Sequence, residues 1–218
     1  MKRFTTGALV AAAGCLASAL IPTAAQAAPD GSPWTGGGFV ATPAHLRTVA
    51  MTVVVPELPC SASSDSQQLR IGMFGVKKEG TTTRPWSLAV VASCTGGVAS
   101  YRARGMRVQP GDVVALSDQY GGGQESWEVD DRTSGRGEGG GEAVAGGQLR
   151  ALPWGLVGGQ LTGKLPAKIA VPVSGVRVDG KRLGNQPVRH RAQLRHGTPI
   201  VHAGRLDETG TGFTLRVG

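Results

Sequence analysis

Four carboxylates crowd around one tryptophan: Glu125, Glu128, Asp130 and Asp131 flank Trp127. Two carboxyl groups held about 5–10 Å apart across a cleft would suit acid–base hydrolysis of a glycosidic bond. Close neighbours along one strand more simply make a wet face or a calcium-tolerant edge, and that is the expectation for this stretch. His190, His196 and His202 recur at six-residue steps. An even step keeps side chains on one face only along an unbroken strand. Gly197 and Pro199 interrupt this one, so structural or solvated histidines are expected and no metal. The chain has no Gly-x-Ser-x-Gly elbow, P-loop, His-Glu-x-x-His or EF-hand pattern. No cofactor is expected.

The N-terminus sets the compartment. Lys2 and Arg3 precede an apolar run from Ala8 to Ile21, and Ala25-Gln26-Ala27 makes a small-x-small cleavage site. This is the pattern of a secretory leader cut after Ala27. The run is too short to span a bilayer. The box before Cys15 has Ala12 where a lipoprotein anchor has a larger aliphatic residue, and the apolar run continues past it. A lipid anchor is therefore not expected. Removing the leader leaves Cys60 and Cys94, which in an oxidising compartment most simply pair. Such a bridge closes a loop of about 35 residues and stabilises by roughly 3–4 kcal/mol in the chain-entropy view.

These groups must be positioned by strands. The 218 residues include 35 Gly and carry a net charge of +8, or +6 without Lys2 and Arg3. Basicity favours anionic partners, although the cations are scattered along the chain. No long segment keeps apolar residues at helical spacing. Short β-branched runs recur instead, at 48–56, 68–76, 87–93, 99–108, 112–117, 126–131, 168–178, 187–195, 199–206 and 212–217. Ten such runs predict an all-β, antiparallel sandwich or jelly roll. The polar stretch 60–68 and the Gly-rich stretch 134–147 read as loops. No linker divides the chain, so one domain is expected over 41–218, preceded by a tail at 28–40.

The order of several pieces resembles the eqolisin (glutamic peptidase) family. They are Val53-Val54-Val55-Pro56, Arg70-Ile71-Gly72-Met73-Phe74-Gly75, Ser87–Cys94, Tyr101–Met106, Pro110-Gly111-Asp112, Val178-Asp179-Gly180 and Gly210–Leu215. The resemblance implies a secreted, concanavalin-like sandwich of two curved antiparallel sheets over about residues 40–217. It also implies a catalytic glutamine on or next to Val90 and a catalytic glutamate at Met106. An aspartate of the family falls on Phe74, and a tryptophan on Arg70. Valine and methionine can neither activate water nor donate to an oxyanion. Three polar positions have thus become apolar, which predicts a cleft refilled as core with no catalytic residue.

Strand alternation then places Arg102, Arg104, Met106 and Val108 on one face. Arg102 and Arg104, with Phe74, are the expected lining of a basic groove for an anionic polymer or a protein surface. Two alternatives stay open. One is an active acid endopeptidase in which Glu125 or Glu128 has taken over the chemistry. The other is a lectin-like carbohydrate binder, for which the nine aromatic residues outside the leader offer few stacking platforms.

Overall fold

The computed structural model describes residues 36–41, 47–61, 67–79, 82–121, 123–143, 149–150 and 155–218. The leader expected over 1–27, with Cys15, lies outside them, as do most of the polar stretch 60–68 and residues 144–147 of the Gly-rich stretch. The described residues form sixteen strands and one 3-10 turn. In order these are β1 (Gly37–Ala41), β2 (Thr48–Val54), β3 (Gln67–Glu79), β4 (Thr82–Thr95), β5 (Val98–Ala103), β6 (Met106–Arg107), β7 (Val113–Gly121) and β8 (Gln124–Asp131). There follow β9 (Arg136–Ala143), β10 (Leu149–Arg150), β11 (Gly155–Thr162), β12 (Ile169–Val178), β13 (Lys181–Arg182), β14 (Val188–Arg195), β15 (Thr198–Ala203) and β16 (Phe213–Val217).

Every pairing is antiparallel, and the path runs β6-β5-β4-β3-β11-β1-β14-β15-β16-β12-β2-β7-β8-β9. β14 serves both halves. It pairs β1 on one side and β15 on the other, which folds the path into a nearly closed sandwich. Sheet A is the half from β6 to β1, and sheet B the half from β15 to β9. Period-two alternation supplies the core. Leu69, Ile71, Met73, Leu88 and Val90 point inward from sheet A, against Met51, Val53, Leu116 and Val173 from sheet B.

Two joints hold the ends of this frame. Cys60 and Cys94 are bridged, with Cα atoms 5.7 Å apart. The Val55 N–H donates to Asp112 O at 2.8 Å, and Gly111 N–H donates to Val55 O at 2.9 Å. The Val-Pro strand end therefore meets the Pro-Gly-Asp turn, where Gly111 needs φ of 89°.

Three expectations are corrected. Residues Gly37–Val40, expected in a tail, belong to β1 and pair with β11 and β14. Most of 134–147, expected as a flexible loop, is β9, laddered to β8 from Gln124↔Ala143 to Asp131↔Arg136. The single strand expected over 99–108 is two, because Arg104 takes φ of 55° and the chain turns back at Arg104–Gly105.

Candidate functional site

The positions that the family resemblance marks lie on β4 and β6. Val90 is fully buried. It sits between Ile71 on β3 and Ala103 on β5, with its side chain in the core between the sheets. Its neighbours do not restore a polar group. Ala89 is buried on the opposite face, and Val91 is half-buried beside it. A shift of one residue in the correspondence thus changes the face but not the chemistry. Phe74 is 1% exposed and packs with Ala89, Leu156 and Val40 in a small second apolar cluster. Arg70 stands on the same face as Phe74, one pleat repeat beyond Gly72, and donates to Ser87 Oγ at 2.7 Å. Partial burial lowers its pKa from the ordinary guanidinium value.

Met106 is half-buried against the main core. It lines a shallow open depression with Gly105, Arg136, Gly137 and Glu138. Glu138 on β9 accepts the Gly105 N–H at 3.1 Å. Arg136 is spent on its surroundings: Nη2 donates to Arg107 O at 2.8 Å, and Nε donates to Ser134 Oγ at 2.9 Å. These contacts close the sandwich where the two ends of the strand path approach.

The basic groove expected from Arg102, Arg104 and Phe74 is not assembled. The turn at Arg104–Gly105 puts Arg102 opposite Arg107 and Met106 opposite Ala103, so alternation no longer joins them on one face. Arg102 is exposed, and Val108 is buried. Arg104 leaves sheet A altogether and lies over the Trp127 ring on β8, 4.4 Å from its centre. Phe74 is buried away from both.

The acidic strand also differs from expectation. It is a wet face only in part: Glu128 is exposed and Asp130 half-buried, whereas Glu125 and Asp131 are 3% and 0% exposed. Asp131 accepts from Ser134 Oγ at 2.5 Å, from the Thr133 and Ser134 N–H groups, and from Arg136 at 3.4 Å. Burial works to raise its pKa, and these hydrogen bonds outweigh burial and hold it below the ordinary aspartate value. On β7 Tyr120 stands opposite Glu125, and its hydroxyl donates to buried Asp118 at 2.6 Å. Burial, then the Asp118 charge and hydrogen bond, raise the Tyr120 pKa well above the ordinary phenol range.

Asp118, Tyr120 and Glu138 were absent from the sequence-based site. The signal was present: Val114, Leu116, Asp118 and Tyr120 continue one period-two row. Arg136, Glu138 and Glu142 do the same within a stretch whose glycines suggested a loop.

The histidines are dispersed. His190 on β14 stacks against Phe39, His196 sits in the following turn at φ of 48°, and His202 on β15 faces Arg216. Among the described residues no group of three His, Cys, Asp or Glu side chains could hold a metal ion.

No family model matches the chain, and no curated protein matches it. Solved structures do. Scytalido-glutamic peptidase, solved with a transition state analog inhibitor, aligns with a TM-score of 0.55 at 12% identity. The alignment covers 84% of this chain and 97% of that one. The fold is that of the eqolisin peptidases. A second structure, SCP-B, a member of the Eqolisin family solved with the tripeptide Ala-Ile-His, aligns with a TM-score of 0.51 at 13% identity. It covers 83% of this chain and 95% of that one. At such identities the shared eqolisin fold carries no activity with it.

Proposed function

We propose that this chain is an exported, non-catalytic protein on an eqolisin-like sandwich, working by binding rather than by turnover. The observation that carries the reading is the burial of Val90 at 0% exposure, with apolar Ala89 and Val91 on either side and half-buried Met106. Acid hydrolysis of a peptide bond needs a group to activate water and a donor to meet the oxyanion. Loss of one oxyanion donor alone costs about a hundred- to a thousand-fold in rate. Glu138 is the carboxylate beside Met106, and it is engaged by the Gly105 amide. The nearby Arg136 is held by Ser134 and the Arg107 carbonyl.

The test is an assay of denatured protein substrates between about pH 2 and pH 7, where carboxyl-based acid–base chemistry operates. No cleavage is expected. Robust acid cleavage overturns the reading. If that cleavage also disappears in Glu125→Gln, Glu128→Gln or Glu138→Gln, the chain is a peptidase with a displaced acid. Adding Val90→Gln and Met106→Glu together is expected to leave the protein inactive, because Val90 lies inside the closed core between the sheets, where a peptide does not reach.

Export rests on the leader pattern, and the Cys60–Cys94 bridge agrees with an oxidising compartment. N-terminal sequencing of secreted protein is expected to start near Ala28. A lipid-modified start at Cys15 contradicts it.

A further inference from the structure

Charge is segregated across sheet B. Residues 112–143, which form β7 to β9, hold eight carboxylates against two arginines, a net charge of −6. Residues 164–218, which form β12 to β16, hold ten lysines and arginines against three carboxylates, a net charge of +7. Between them in the sheet lies β2, which carries no charged residue.

The basic end has a focus. Asp179 and Gly180, at φ of 51° and 71°, make the tight turn between β12 and β13. That turn sets Arg177 directly opposite Arg182, both exposed, with exposed Lys181 beside them. Like charges directly opposed across strands destabilise a hairpin. The acid nearest in sequence does not relieve them, since Asp179 accepts the Arg47 and Thr48 N–H groups at 2.6 and 2.9 Å. This contact also brings the exposed Arg47 to the same end. Of the five donors on each guanidinium, Arg177 spends one on Gly180 O at 3.0 Å and Arg182 one on Thr209 O at 3.4 Å. Asp207, in the loop that Arg182 reaches, is taken up by Thr209 and Thr211. Glu208 is the remaining carboxylate of that loop.

We propose that the β12–β13 hairpin, through Arg177, Lys181 and Arg182 with Arg47 alongside, is a docking surface for a linear polyanion. The repeating group would be a phosphate or a carboxylate. An anion spanning Arg177 and Arg182 removes their mutual repulsion. The net charge of +6 without Lys2 and Arg3 favours such a polymer over a second copy of the same chain. The surface is separate from Val90 and Met106, so it stands independently of whether the chain cleaves peptides.

Binding of inorganic polyphosphate and of poly-L-glutamate is to be measured at several salt concentrations. At least one polymer is expected to bind at low salt, with affinity falling as salt rises. The stronger one identifies the repeating group. Arg177→Gln/Lys181→Gln/Arg182→Gln is expected to lose at least about tenfold in affinity and to flatten the log–log salt slope by roughly 2–3. Arg102→Gln/Arg104→Gln is expected to keep both. Arg177→Lys/Arg182→Lys preserves charge and should preserve binding, which separates a charge effect from damage to the hairpin. Failure of the wild type to bind either polymer overturns the proposal. So does an unchanged triple variant, or a loss that falls on Arg102 and Arg104 instead. Loss of binding in the charge-preserving variant overturns it as well. If the triple variant abolishes a salt-sensitive self-association and leaves polymer binding intact, the surface belongs to a second copy and the proposal fails.

Discussion

The β4–β6 side of sheet A and the β7–β9 corner of sheet B face each other across one end of the sandwich, and their chemistry is opposite. On β4, where the eqolisin resemblance calls for an amide, Ala89, Val90 and Val91 are all apolar. On β7 and β8, where the resemblance calls for nothing, Asp118, Glu125 and Asp131 are buried. Burial of a carboxylate is costly unless donors surround it. Asp131 has four donor contacts from its own turn and the next strand, and Asp118 has the Tyr120 hydroxyl. The lesson is that buried acids here hold strands in place. Acidity alone does not locate a catalytic centre, and neither does the fold.

The sharpest break of this comparison is to place an amide at Val90. Val90→Gln adds volume and an amide to a fully buried site. It is expected to cost about 2–5 kcal/mol, as overpacking plus burial of a polar group without partners. Denaturant unfolding checks it, and a loss below about 1 kcal/mol would mean that Val90 does not face core.

Next comes Asp131→Asn, which keeps the shape but weakens four donor contacts. A loss of about 1–3 kcal/mol is expected, as for buried donors and acceptors left poorly matched. The wild type supplies a matching pH signature. A folded-state pKa held below the unfolded value gives stability that is complete above about 3.9. It is lost as pH falls through that value toward the lower folded one. The melting temperature of Asp131→Asn should therefore fall less steeply than that of the wild type on acidification below about pH 4. Parallel curves would contradict this.

The smallest effect belongs to Glu128. It is exposed on the strand that buries Glu125, and Glu128→Gln is expected to stay within about 0.5 kcal/mol of the wild type. Glu125→Gln, the same chemistry three residues earlier, is expected to cost more. Equal thermal shifts for the two would erase the distinction between the faces of β8.

Each of the ten runs rich in β-branched residues contains strand, 99–108 being split in two by a turn, because alternating apolar side chains announce both the strand and its buried face. The missed long strands are β1, β9 and β11, and each is glycine-rich. Glycine has no side chain to alternate, so such strands are defined by their partners. A Cβ on Gly38 would lie 2.2 Å from Val157 O, and one on Gly158 would lie 2.1 Å from Gly37 O. At that crossing of β1 and β11, glycine is required by the neighbouring backbone. The site was half legible. That Val90, Met106 and Phe74 are apolar can be read from residue type alone. The left-handed residue Arg104 then defeats the expected groove, because one turn inside a strand cancels all alternation beyond it.

Among the described residues β9 ends the strand path, so one of its long sides has no partner strand there. Such a side invites a second molecule to add its own strand and begin a filament. Gly137, Gly139 and Gly141 make β9 a poor template, and Glu138 and Glu142 charge it. Two copies joining along this strand would have to crowd carboxylates together. The barrier to polymerisation is therefore a matter of charge as well as of shape.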